Sequence, residues 1–225
     1  PIGVDILQWT TSNGVCPSNS STVSITSIAN VGPVDAGLAV FHCGLTPTLN
    51  AVTPVVGTGT WIPISSAPNV ASPNNPTTPV TFTSAGTYTY QWLVGYLACP
   101  NISSTVQVTL YDMPTPSSVS ADQTVCISSA NATISANTPA IGTGSWSVAG
   151  GSGTVSLPTN TISPVTGLAV GMNSFAWVIS NGVCPPSSAT VNIQVDDVPS
   201  IPVAGVDQTI CINSTTSLNA TNPAI

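Results

Sequence analysis

The sequence predicts an all-β protein, a tandem array of small β-sandwich domains. Two observations carry this. Short runs rich in Val, Ile and Thr alternate on a two-residue hydrophobic period between clusters of Pro, Gly, Asn and Ser. The chain also repeats itself every 84 residues or so.

The repeat is read from four landmarks. Trp9, Trp92 and Trp177 each stand seven residues before a cysteine, namely Cys16, Cys99 and Cys184. A second cysteine series, Cys43, Cys126 and Cys211, advances by the same steps of 83 and 85. GTGTW at 57–61 returns as GTGSW at 142–146, and SADQTVC at 120–126 returns as GVDQTIC at 205–211. SNGVCP at 12–17 returns whole at 180–185. A unit of this length suits a sandwich domain rather than a solenoid turn. The expected organisation is the C-terminal part of a repeat at 1–30, complete repeats at 31–115 and 116–199, and the N-terminal part of another at 200–225. Proline-rich joints separate them at 30–37, 111–120 and 196–205, where a ladder cannot continue.

Within 116–199 the strands follow in order. DQTVCI (122–127) is strand A, and ATISAN (132–137) is strand B, with Ala132, Ile134 and Ala136 on one face. GSWSVAG (144–150) is strand C, with Trp146 and Val148 inward. TVSLP (154–158) and TISPVTG (161–167) supply the middle strands. NSFAWVIS (173–180) is strand F, alternating Phe175, Trp177 and Ile179. Asn181-Gly182 is a hairpin turn, and ATVNIQV (189–195) is strand G, with Val191, Ile193 and Val195 alternating. About seven short strands at this spacing fit an Ig-like sandwich. Trp9, Trp61, Trp92, Trp146 and Trp177 recur in register with the strands and read as core anchors.

The cysteines alternate between strand A and the F–G turn. Pairing inside each repeat gives Cys43–Cys99 and Cys126–Cys184, while Cys16 and Cys211 find partners outside the 225 residues. One disulfide per repeat would stabilise it by ~3–5 kcal/mol, clamping strand A to the neighbouring hairpin. It implies an oxidising, extracytoplasmic location. His42 is the only histidine and no CxxC occurs, so zinc lacks ligands.

Together, A-G-x-D-Q-T-[VI]-C, the G-T-G-x-W-S-V-x-x-G-S-G-T segment and N-x-F-x-W-x-I-S-N-G-x-C-P-P resemble a known class. They are similar to the PKD-like/Ig-like repeats of very large Bacteroidetes surface proteins, such as SprB-type gliding-motility adhesins exported by type IX secretion. Repeat 116–199 carries the whole pattern: Asp122-Gln123-Thr124, Ala136 to Pro139, Gly142 to Trp146, Gly151 to Thr154 and Asn173 to Cys184. Repeat 31–115 departs from it, with no DQT, WIPISS after strand C's glycines and LVGYLACP at its F–G segment. The resemblance implies a tandem surface filament, anchored at the outer membrane and serving adhesion or gliding.

Composition narrows the remaining classes. There is no Lys or Arg, and the seven acidic residues are all Asp, for a formal charge of −7. Such a chain cannot neutralise phosphates, which excludes nucleic acid as a partner and basic attraction to anionic lipid. Mean hydropathy is +0.39, yet Pro, Asn, Ser or Gly interrupts every apolar run before a transmembrane helix could form. Asp35, Asp112, Asp122, Asp196, Asp197 and Asp207 fall at or beside the joints. Asp196 and Asp197 with Asp207, or Asp112 with Asp122, are the calcium candidates, since carboxylates and loop carbonyls are hard ligands; turn formation and solubility are the plainer reading. No other cofactor is expected. A Ser-His-Asp site would recur with the repeat, and His42 does not, so no enzyme is expected.

The expected function is therefore that of a structural repeat segment of an extracellular adhesin or filament at the cell surface. Its partners would be neighbouring domains of the same long chain and other filament subunits, with surface polysaccharide or an abiotic surface as targets. The alternative is a set of carbohydrate-binding modules that stack sugars on an exposed aromatic face. Burial or exposure of the Trp and Tyr side chains (Tyr88, Tyr90, Tyr96 and Tyr111 among them) discriminates the two.

Overall fold

A computed structural model describes residues 2–64 and 66–222. Pro1, Ser65 and 223–225, which belong to the expected segments 1–30, 31–115 and 200–225, lie outside the described residues. The chain divides into two units, Pro1–Tyr111 and Asp112–Ile225, and each is described by itself.

In the first unit, β1 (Gly3–Thr11) and β2 (Asn19–Ser27) form an antiparallel hairpin on their own. β3 (Val40–Cys43), β4 (Thr48–Asn50), β5 (Thr58–Ile64), β6 (Thr77–Pro79), β7 (Gly86–Tyr96) and β8 (Cys99–Tyr111) form the first complete repeat. Its large sheet has the order β3-β8-β7-β5, and β4 pairs with β6.

In the second unit the strands are β9 (Gln123–Cys126), β10 (Ala132–Ser135), β11 (Thr143–Gly150), β12 (Thr154–Val155), β13 (Ile162–Thr166), β14 (Gly171–Ser180) and β15 (Ser187–Asp196). One sheet has the order β11-β14-β15-β9, and the other has the order β10-β13-β12. Both large sheets share one plan: C, F, G and then A. In each, strand A runs parallel to G, with β3 beside β8 and β9 beside β15.

The two-residue period decides what is buried. Phe175, Trp177 and Ile179 of β14, with Val191, Ile193 and Val195 of β15, point into one core with Ile134 and Val165 from the facing sheet. Tyr90, Trp92 and Val94 of β7 and Val106, Val108 and Leu110 of β8 do the same in the first repeat. One expectation fails within β11. Val148 is exposed although it stands in register opposite the buried Phe175; β11 is the edge strand of its sheet, and its pairing becomes irregular just beyond Val148.

Two larger expectations also fail. Trp9 is 77% exposed rather than a core residue. Its hairpin matches β14–β15, yet Leu7, Trp9, Val23 and Ile25 meet no facing sheet among the described residues. At 205–211, GVDQTIC forms no strand. Its counterpart β9 is held by a parallel ladder to β15, and among the described residues no G strand stands beside 205–211 to supply that edge.

Candidate functional site

Two recurrent constellations organise the repeats: a Trp-Gly-Trp cluster and the pair of cysteines. The first begins with strand C. Trp61 lies opposite Trp92, and Trp146 opposite Trp177, in the C–F ladder. The indole rings meet at 4.9 Å and 5.2 Å with tilts of 49° and 51°, within the range of favourable aromatic pairs. Two residues before each strand C Trp stands a glycine. A Cβ on Gly59 would lie 2.0 Å from Trp92 Cζ2, and one on Gly144 would lie 2.1 Å from Trp177 Cζ2. The glycine is therefore what lets strand F carry a Trp at that position.

The strand C indoles are also held by their polar edges. Trp61 Nε1 donates to Pro76 O at 3.3 Å, and Trp146 Nε1 donates to Asn160 O at 3.1 Å. The Trp92 and Trp177 Nε1 atoms are buried with no hydrogen-bond acceptor, a cost both repeats carry. Tyr90 is buried beside this cluster and donates to Pro68 O at 2.8 Å. Burial, with a smaller contribution from Tyr88, pushes its phenol up to about 12.

These residues answer the aromatic question. Trp61, Trp92, Trp146, Trp177 and Tyr90 are buried, and Tyr88, Tyr96 and Tyr111 are half-buried. Tyr88 is turned to Ser84, donating to its carbonyl at 3.0 Å, and stacks on Phe82 at 4.6 Å.

The cysteines depart from expectation. Cys99 and Cys126 are free thiols, so neither Cys43–Cys99 nor Cys126–Cys184 forms. Cys16 and Cys211 are free as well, whereas Cys43 and Cys184 are disulfide-bonded. The reason lies in the sense of the A–G pairing. Cys43 stands opposite Tyr111, the last residue of the 13-residue strand β8, and Cys99 is its first. At ~3.3 Å per residue the two ends of that strand are ~40 Å apart. Cys126 likewise stands opposite Asp196, the last residue of β15, and Cys184 precedes its first. Disulfides need Cα atoms within about 7 Å. Each repeat thus carries its two cysteines at opposite ends.

The F–G cysteines sit where the chain enters a repeat. Cys99 donates to Ala29 O at 3.6 Å, and Cys184 Sγ lies 3.3 Å from Asp112 O. Asn181 Nδ2 binds that same Asp112 carbonyl at 2.8 Å. The strand A cysteine Cys126 sits at the other end, where the Ser128 hydroxyl 3.2 Å away lowers its thiol pKa.

The joint aspartates make turn and edge contacts. Asp122 accepts from the Asn192 backbone at 2.7 Å and from its side chain at 3.1 Å, which holds its carboxyl below the usual range. Asp35 accepts from Gly37 N, Asp196 from Gln194 and Asp197 from Val198 N. Among the described residues no three His, Cys, Asp or Glu side chains come together as metal ligands. Asp196, Asp197 and Asp207 are thus not gathered into such a group. Sequence reasoning also missed Asn173. It is buried, donates to Ala169 O at 2.8 Å and accepts from Ser152 N at 2.9 Å, tying the loop before β14 to the core. A polar residue on the inward face of strand F was the available signal.

No family model and no curated protein matches the sequence. Solved structures do. Extracellular domains 3–5 of Drosophila OTK are 10% identical and superpose over 85% of this chain and 70% of that one, with a TM-score of 0.54. Murine CEACAM1b is 14% identical over 74% of this chain and 100% of that one, with a TM-score of 0.49. Fibronectin(III)-like modules of Clostridium thermocellum CbhA are 16% identical over 73% and 94%, with a TM-score of 0.41. The repeats are Ig-like β-sandwiches. At these identities the likeness speaks for the fold alone. Among the described residues no helix is long and apolar enough to cross a membrane.

Proposed function

We propose that this chain is a structural repeat segment of a long extracellular adhesin or filament, serving attachment or gliding at the cell surface. The observation that carries the reading is the burial of the recurrent Trp pairs. In both complete repeats the paired Trp side chains that could have stacked sugars are spent on the core. What recurs from repeat to repeat is thus scaffold rather than a binding platform. The surface left over carries the seven Asp as its only formal charges and is rich in Ser, Thr and Asn, with no Lys or Arg for trypsin-like proteases to cut. Disulfide chemistry fits an oxidising exterior. The outer-membrane anchoring, type IX export and gliding that the Bacteroidetes resemblance implies belong to this proposal.

The test is made on cells that carry the parent protein. Antibodies to this segment should label intact cells, and excising residues 31–115 should shorten reach and weaken attachment or gliding under shear. Retention of the label inside the cell would overturn the proposal. So would saturable binding of the isolated chain to insoluble polysaccharides, lost on Tyr88→Ala, because that would restore the carbohydrate-binding alternative.

A further inference from the structure

We propose that the two Asn-Gly turns are sites of spontaneous deamidation, and that the hold of the entry segment on Asn181 decides when that site reacts. Asn-Gly occurs twice in the chain, at 13–14 and 181–182, each time inside SNGVCP. The two turns share one backbone form. Gly14 and Gly182 sit at φ 58° and 54°. Cys16 N donates to Asn13 O, and Cys184 N donates to Asn181 O, both at 3.1 Å. Neither glycine has a side chain to shield its nitrogen, so the nucleophile is open in both.

The asparagine side chains differ. Asn181 is half-buried, and its Nδ2 donates to Asp112 O at 2.8 Å. Asn13 is exposed and has no side-chain partner among the described residues. Reaction requires the glycine nitrogen to reach the asparagine Cγ, which needs the side chain turned into a near-attack geometry. Asn13 is free to turn. Asn181 must first let go of Asp112, and Asp112 belongs to the segment by which the chain enters the same unit.

The step balances without an enzyme. Gly182 N attacks Asn181 Cγ, a C–N bond forms, and the side-chain nitrogen leaves as ammonia. Water then opens the cyclic imide at one of its two carbonyls, giving aspartate or isoaspartate. No electrons are transferred, and water is the only co-reactant.

The product cannot restore the contact. A carboxylate oxygen replaces the Nδ2 donor, so two acceptors face each other where a hydrogen bond stood. Isoaspartate also lengthens the backbone of the turn by one carbon. The site therefore converts a transient opening of the F–G turn from the entry segment into a permanent one. The first complete repeat has Tyr96-Leu97 at the matching place and carries no such site.

The test compares the two turns within one molecule. The 225-residue chain is incubated in mildly alkaline buffer, folded and in urea. Chymotryptic peptides that begin after Trp9 and after Trp177 are mapped for aspartate and isoaspartate. In urea both sites should react at one rate. In the folded chain Asn13 should react about tenfold faster than Asn181, the factor that one hydrogen bond to be broken implies.

Thr115→Val probes the hold itself. Thr115 Oγ1 accepts from Ala140 N at 2.9 Å and from Ile141 N at 2.8 Å, which fixes the entry segment just beyond Asp112. The variant should speed Asn181 several-fold and leave Asn13 unchanged, with near-ultraviolet circular dichroism reporting the Trp146–Trp177 pair intact. Ser187→Ala, which removes the acceptor of Ser117 N, serves the same purpose if the first variant does not fold. Equal rates for Asn13 and Asn181 in the folded chain would overturn the proposal. So would an Asn181 rate that the folded variant leaves unchanged, or an Asn13 that converts in urea and not in the folded chain.

Discussion

The two complete repeats solve one packing problem with different residues at two places. Near the start of strand F the second repeat has Asn173, whose amide ties down the preceding loop. At the matching place the first repeat has Tyr88, stacked on Phe82 and bonded to Ser84. At the F–G turn the second repeat has Gly182 at φ 54°, and the first has Leu97 at φ 47°. A leucine in the left-handed region is strained, where glycine is at ease. The scaffold is thus kept where the Trp pair demands a glycine and varied at loop and turn, where several chemistries close the same gap. The β1–β2 hairpin completes the comparison. It has the same alternation and the same turn, with Gly14 at φ 58°, and no facing sheet among the described residues.

The largest contrast is between equivalent tryptophans. Trp177→Ala should cost the second repeat ~4 kcal/mol, the usual loss for a buried aromatic, since Trp177 is 1% exposed and stacks on Trp146. Trp9→Ala should cost almost nothing in the same denaturant titration. Equal losses would mean that the hairpin is packed.

Next in size is the glycine beneath the indole. Gly144→Ala should destabilise by ~3 kcal/mol through overpacking. Gly150→Ala, whose new Cβ meets nothing nearer than 3.8 Å, should be close to neutral. Hydrogen exchange of β14 amides would separate the two.

Asn173→Ala should cost ~2 kcal/mol, because it leaves buried backbone groups without partners. Tyr88→Phe should cost less than Asn173→Ala, since its hydroxyl bonds at an exposed position. Comparable losses would indicate that the stacked ring is not what closes the first repeat's loop.

Exchanging the turn residues should move the repeats in opposite directions. Gly182→Leu should lower the midpoint of the second repeat by ~1 kcal/mol, and Leu97→Gly should raise that of the first by less, since glycine adds chain entropy.

The smallest effect is on pH. The Asn192 hydrogen bonds lower the Asp122 pKa in the folded state. Its contribution is therefore present above the ordinary carboxylate pKa of ~3.9 and is lost as pH falls through its lower folded pKa. Asp122→Asn should flatten the acid limb of the second repeat's stability profile, and an unchanged limb would show that the contact does not persist in solution.

Much of this was legible along the chain. The alternation of Phe175, Trp177 and Ile179 named strand F, and its inward face is buried as expected. The recurrence of GTGxW placed strand C opposite it, because a local period maps directly onto a local element. Asn-Gly marked the turn for the same reason. Leu97 shows the limit, since nothing in GYLACP announces a left-handed residue.

What depended on the third dimension was the sense in which distant strands pair. Cysteine spacing assigned one cysteine to strand A and one to the F–G turn, and in the second repeat Cys126 and Cys184 stand there. It could not say whether A runs with G or against it, because the hydrophobic period is the same either way. Parallel pairing moves Cys43 and Cys126 to the far end of strand G, and with them the meaning of every cysteine in the chain. Trp9 and the 205–211 segment teach the same lesson. The pattern for a strand is local, but burial and pairing need a second strand to be present. Periodicity is written residue by residue, whereas partners, register sense and burial arise only when separated segments meet.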